Sequence, residues 1–124
     1  MRTVLQIWIA TAAVLAGLLL SSFGASQNEK EAEVLLQAAM NTELVKGDLE
    51  AAIQQYKRIL ASQGGSRSVA AKALVRMGHC YERLGNVEAR QAYERVVREY
   101  ADQSEAAAEA RTRLAGLGKP TTAT

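Results

Sequence analysis

His79 and Cys80 are the only histidine and the only cysteine of this 124-residue chain, and they are adjacent. An imidazole beside a thiol invites two chemistries: an activated thiolate nucleophile, or part of a metal centre. The spacing supports neither. Neighbours on a helix point about 100° apart, so the two side chains do not face each other. A metal centre would need further ligands, and there is no second His or Cys. The sequence also holds no glycine-rich phosphate loop, nucleophile motif or paired-carboxylate constellation. The chain is therefore read as no enzyme, with no cofactor and no metal. Cys80 is expected to pack as a small hydrophobe, and a lone Cys leaves the fold to stand without an internal disulfide.

The tyrosines are the next candidates, as a stacking platform. Tyr56, Tyr81 and Tyr93 fall on apolar stripes at helical spacing, which argues for core positions instead. Tyr100 closes a helix and is expected to be partly exposed.

These residues must be positioned by helices. Ala/Leu/Glu/Arg-rich runs alternate with short Gly- or Ser-containing breaks, nothing alternates with period two, and the only proline is Pro120. The first helix spans about Glu29 to Lys46 and carries Val34, Leu35, Ala38, Ala39, Leu44 and Val45. Gly47 stops it, and Asp48 is placed to cap the second helix, which carries Leu49, Ala52, Ile53, Tyr56, Ile59 and Leu60. Gly64-Gly65-Ser66 breaks the chain again, with Ser66 or Ser68 as a cap. The third helix aligns Leu74, Met77, Tyr81 and Leu84 and is closed by Gly85. The fourth places Val87, Ala89, Ala92, Tyr93, Val96 and Val97. A fifth helix runs to about Leu117, with Asp102 and Glu105 as a capping box and Ser104 as a rival cap. Glu109 and Arg113, four apart, are oriented to pair.

Two of these stretches are nearly the same text. Gly47 opens GDLEAAIQQYKRIL and Gly85 opens GNVEARQAYERVV; the glycines lie 38 residues apart and the tyrosines 37. Leu74, Met77, Gly78 and Tyr81, followed by Gly85, Ala89, Tyr93 and Val96, resemble the tetratricopeptide repeat. Gly47, Ala52 and Tyr56 match in the earlier copy, where Leu36/Ala39/Met40 and Leu35/Ala38/Ala39 compete for the first-helix positions. The period exceeds the family's usual ~34 residues, and Ala101 stands where the family often has Pro.

The resemblance covers roughly residues 29–117. It implies an all-α fold: two helix-turn-helix repeats plus a C-terminal capping helix, in a right-handed α-solenoid. It further implies a protein–protein interaction or scaffold module whose first helices line a concave face. Carried over, this gives Lys72, Val75, His79, Glu82 and Arg83 as a peptide groove, with Gln37, Asn41 and Leu44 as counterparts in the first repeat. The first helix lacks a covering element, so self-association or packing on a partner is expected.

Residues 1–26 read as an export segment: Arg2, an apolar stretch over Val4–Leu20, then small residues around Ser22 to Ser26. It is either a cleaved signal, giving an exported protein of the bacterial periplasm or cell envelope, or a retained inner-membrane anchor. Beyond it the chain carries 14 basic and 13 acidic residues, since only Arg2 of the 15 basic ones is lost. That balance, with interleaved signs, argues against a nucleic-acid partner. Residues 118–124 read as a flexible tail, or as the start of a linker in a larger envelope protein.

Overall fold

A computed structural model describes residues 27–62 and 66–118. The stretch read as an export segment, and most of that read as a tail, lie outside the described residues. Those that are described form five helices and no strand: α1 over 27–44, α2 Leu49–Ala61, α3 Arg67–Arg83, α4 Glu88–Glu99 and α5 Ser104–Gly116. Among the described residues, no helix is long and apolar enough to cross a membrane.

The two reversals that close α1 and α3 are made by glycine. Gly47 and Gly85 have φ of 70° and 71°, the left-handed region that L side chains rarely adopt. Asp48 then caps α2 by accepting a hydrogen bond from the Ala51 amide at 3.0 Å. The other expected caps do not form. Ser66 occupies the N-cap of α3 without a side-chain bond, and Gln103, not Asp102 or Ser104, precedes α5, also without one. Asp102 is diverted elsewhere: its carboxylate accepts from Arg67 at 2.6 and 3.2 Å.

One core joins the helices. Leu36 and Ala39 of α1, Ile53 and Tyr56 of α2, Val69, Leu74 and Cys80 of α3, Tyr93 and Val96 of α4, and Ala110 of α5 are all buried in it. α3 packs on α2, α4 and α5, so it is the central element. Cys80 lies fully inside, and burial, with help from Glu43, pushes its thiol up to about 12, consistent with an inert core side chain. Gly78 is the contact point of α3 with α4. A Cβ there would lie 2.5 Å from Cε1 of Tyr93, so the absent side chain is what lets the tyrosine seat.

The structure settles the register of α1 in favour of Leu36, Ala39 and Met40. The first two are buried and Met40 packs against the core. Val34, Leu35, Leu44 and Val45 point outward, 67, 47, 58 and 76% exposed. They are apolar at helical spacing, but spacing alone does not say which face is covered. The face they occupy is one that no other helix covers among the described residues. Leu84 and Val87 are likewise exposed, because the chain there is turning at Gly85 rather than continuing a helix.

Candidate interaction groove

The five residues read from sequence as groove-lining all stand on α3, but they have different surroundings. Lys72 and Val75 share a groove between α3 and α5, with a cavity of about 360 Å³ whose other side is made by Gln103, Glu105 and Glu109. Lys72 is exposed at its edge, while Val75 is 3% exposed and forms apolar floor. His79 lies deeper, its side chain 12% exposed beneath α5. Glu82 lines a second cavity, of about 540 Å³, with Glu109, Thr112 and Arg113. Arg83 is exposed and belongs to neither cavity. Gln37, Asn41 and Leu44 are all exposed on α1.

His79 is held between two aromatic and ionic neighbours. Its ring centroid is 6.0 Å from that of Tyr93, tilted by 57°. Its Nε2 lies 2.9 Å from Oε1 of Glu109, yet that buried nitrogen makes no hydrogen bond, so the contact is electrostatic and poorly aligned. Burial lowers the His79 pKa, and the nearby Glu109 carboxylate opposes the shift only in part. The expected pairing of Glu109 with Arg113 is not made: Glu109 faces His79, and Arg113 reaches Glu82 at 3.8 Å.

The groove rests on a polar device that sequence reasoning missed. Glu43, near the end of α1, is 1% exposed. The Tyr56 hydroxyl donates to its Oε2 at 2.6 Å, and Arg76 grips both its oxygens, Nε at 3.0 Å and Nη2 at 2.5 Å. A carboxylate so deep is tolerable only when its oxygens are occupied. Burial, and then the Glu43 hydrogen bond, pushes the Tyr56 phenol above its ordinary range. For Arg76, burial works to lower the pKa, but Glu43 outweighs it and the guanidinium stays charged. Three helices are thus tied at one point: α1 gives the acid, α2 the phenol and α3 the base.

The same device recurs one repeat later. The Tyr93 hydroxyl of α4 donates to Glu82 of α3 at 2.6 Å, and Arg113 of α5 stands at the other oxygen of Glu82. Burial first, and Glu82 second, raises the Tyr93 phenol as well. The signal was in the sequence: Glu43/Glu82, Tyr56/Tyr93 and Arg76/Arg113 recur 39, 37 and 37 residues apart, close to the glycine period. Searching the repeat for polar as well as apolar coincidences would have found it.

Arg67 makes a further tie, on the surface. It donates to the Glu99 carbonyl at 2.7 Å and to Asp102, and its guanidinium sits 5.0 Å from the Tyr100 ring centroid. That fixes the start of α3 to the α4–α5 turn, and so sets the entry of α5 into the groove. The Arg67 hydrogen bonds hold the Asp102 carboxyl well below the usual carboxylate range. Among the described residues no cluster of His, Cys, Asp and Glu could hold a metal ion.

Comparison with known proteins gives one family. Neither the curated proteins nor the solved structures provide a match. Residues 72–102, which run from the middle of α3 through α4 to the α4–α5 turn, match the family model of the tetratricopeptide repeat. This is the helix pair closed by Gly85 and locked by Gly78 against Tyr93, and the helices on either side repeat its polar tie. Residues 72–102 are thus recognised as a tetratricopeptide repeat, set within described residues that are all-helical.

Proposed function

We propose that the chain is an exported scaffold module that binds a peptide or a partner protein along the face formed by α1, α3 and α5. The repeat supports a protein–protein interaction role in general. The observation that carries the finer reading is the groove between α3 and α5, with an apolar floor at Val75 and charged edges at Lys72, Glu105 and Glu109. Such a lining suits an extended chain, which offers side chains to the walls and backbone to the floor. The export part rests on the apolar stretch Val4–Leu20 behind Arg2.

Affinity capture from a cell-envelope extract tests the binding site if it is run with variants. A partner retained by the native protein and lost with Lys72→Glu, but kept with Val34→Lys on the outer face of α1, places binding in the groove. Loss with Val34→Lys alone places it on α1 instead. N-terminal sequencing of the product tests export: a start near Gln27 means a cleaved signal, whereas an intact Met1 means an anchored structural subunit.

A second reading is favoured by α1 itself. Val34, Leu35, Leu44 and Val45 are apolar and open, as expected of the end of a stack that lacks its neighbour. On this reading the chain associates with a copy of itself or with a further repeat segment through α1. Light scattering over a wide concentration range checks it, and a folded monomer throughout refutes self-association.

A further inference from the structure

The two walls of the α3–α5 groove carry opposite charge once the internal pairs are set aside. Arg76 is neutralised by Glu43, and Asp102 by Arg67. What is left on the α3 wall is Lys72, which has no ion-pair partner among the described residues. What is left on the α5 wall is Glu105 and Glu109, one helical turn apart. Glu105 is likewise unpaired, and Glu109, 43% exposed, faces only the His79 imidazole, whose burial favours the neutral form. Between the walls lies Val75.

A ligand that is uniformly charged meets attraction from one wall and repulsion from the other. A polyanion such as nucleic acid is opposed by Glu105 and Glu109, and a polybasic tail by Lys72. An extended peptide resolves the conflict, because successive side chains point to opposite sides of its backbone. Given that the groove binds peptide, as proposed above, we propose that its ligand is an extended segment in which a basic residue stands next to an acidic one. The base, Arg or Lys, lies against Glu105 and Glu109, the acid lies against Lys72, and the backbone crosses Val75.

Four capped, alanine/serine-based octapeptides test this, carrying Glu-Arg, Glu-Gln, Gln-Arg or Gln-Gln at the centre. Each is titrated into the isotopically labelled protein, with the amide signals of Lys72, Val75, Glu105 and Glu109 followed by NMR. The Glu-Arg peptide should bind tightest, by about threefold over each single-charge peptide and about tenfold over Gln-Gln, as expected of partly exposed ion pairs. Glu105→Gln should remove most of the preference for Arg and leave the preference for Glu, and Lys72→Gln should do the reverse. Raising the salt to about 0.5 M should level the four affinities, because exposed pairs are screened. If all four peptides move the groove signals with equal affinity, the charge proposal is overturned while the peptide reading stands. If none of them moves those signals in a folded protein, or if all bind through α1, both are overturned.

Discussion

The first and second Glu–Tyr–Arg ties are built from the same residue types in the same order, but they are enclosed to different degrees. Glu43 is 1% exposed and gripped by two nitrogens, Nε and Nη2, of Arg76, whose own side chain is 23% exposed. Glu82 is 24% exposed, and Arg113, 47% exposed, stands off at 3.8 Å. The covering helix makes the difference. α3 brings Val69, Ala73, Leu74, Met77 and Cys80 to the core, whereas α5 has only Ala107 and Ala110 fully buried. Small side chains seal less surface, so water reaches the second tie and its ion pair loosens. The buried tie holds the repeats together, whereas the looser one leaves room for the grooves between α3 and α5.

Substitutions should separate the two ties sharply. The tyrosines are alike, both 0% exposed, so Tyr56→Ala and Tyr93→Ala should each cost about 3–5 kcal/mol in urea unfolding. A loss below about 0.5 kcal/mol at Tyr93 would place it on the surface and break the equivalence of the repeats. The arginines should differ. Arg76→Met leaves a buried carboxylate without its counter-charge and should cost about 3 kcal/mol. Arg113→Met removes an open pair and should cost under about 1 kcal/mol. Equal losses at the two arginines would mean that enclosure does not set the strength of the tie.

The contact at Gly78 sharpens the same contrast from the apolar side. Gly78→Ala puts a methyl group into the Tyr93 ring and should cost about 1–3 kcal/mol, with the Tyr93 hydroxyl displaced from Glu82. Gly116→Ala, on α5, where nothing lies within 4 Å of the added carbon, should be neutral or slightly stabilising. Thermal melts of the pair check this, and a Gly78→Ala protein that melts with the native one would mean that close approach is not what the glycine provides.

Much of the fold was legible in the sequence, for a reason visible in particular residues. Gly47 and Gly85 mark left-handed reversals that almost no other residue adopts, and Tyr56, Tyr93 and Gly78 sit where period and volume put them. The outer face of α1 was not legible. Val34 and Val45 have the spacing of core residues, and periodicity cannot tell a face that is covered from one that awaits a neighbour. Glu43 was illegible for the opposite reason: a charged residue is read as solvent-facing unless its partners, 13 and 33 residues away, are considered with it. The groove residues divide on the same line. Lys72 and Val75 come together through helix geometry alone, but the fate of His79 and Glu82 depends on α5 lying over them, which the pattern of α3 does not contain.

The lightly covered side of the stack also predicts a small acid sensitivity, through His79 beneath α5. His79 is the only histidine, so between about pH 5 and 7 it is the one side chain of ordinary pKa that titrates. In the folded protein its pKa is lowered, chiefly by burial beneath α5, so the unfolded chain binds the proton more readily. Stability should therefore be full above the unfolded value near 6.5, fall as the pH drops from there to the folded pKa, and level off below it. The loss should reside chiefly in the docking of α5, since Glu109 and Arg113 of that helix act on the ring most strongly, with Tyr93 of α4 beside it and Arg76 and Glu43 contributing less from the other side. Hydrogen exchange should show α5 amides opening faster at pH 5.5 than at pH 7, after correction for intrinsic rates, with α2 unchanged. His79→Gln should abolish the pH step in the melting temperature over this window. If the step persists in that variant, or appears equally in α2, the acid sensitivity does not come from the lightly covered side of the stack.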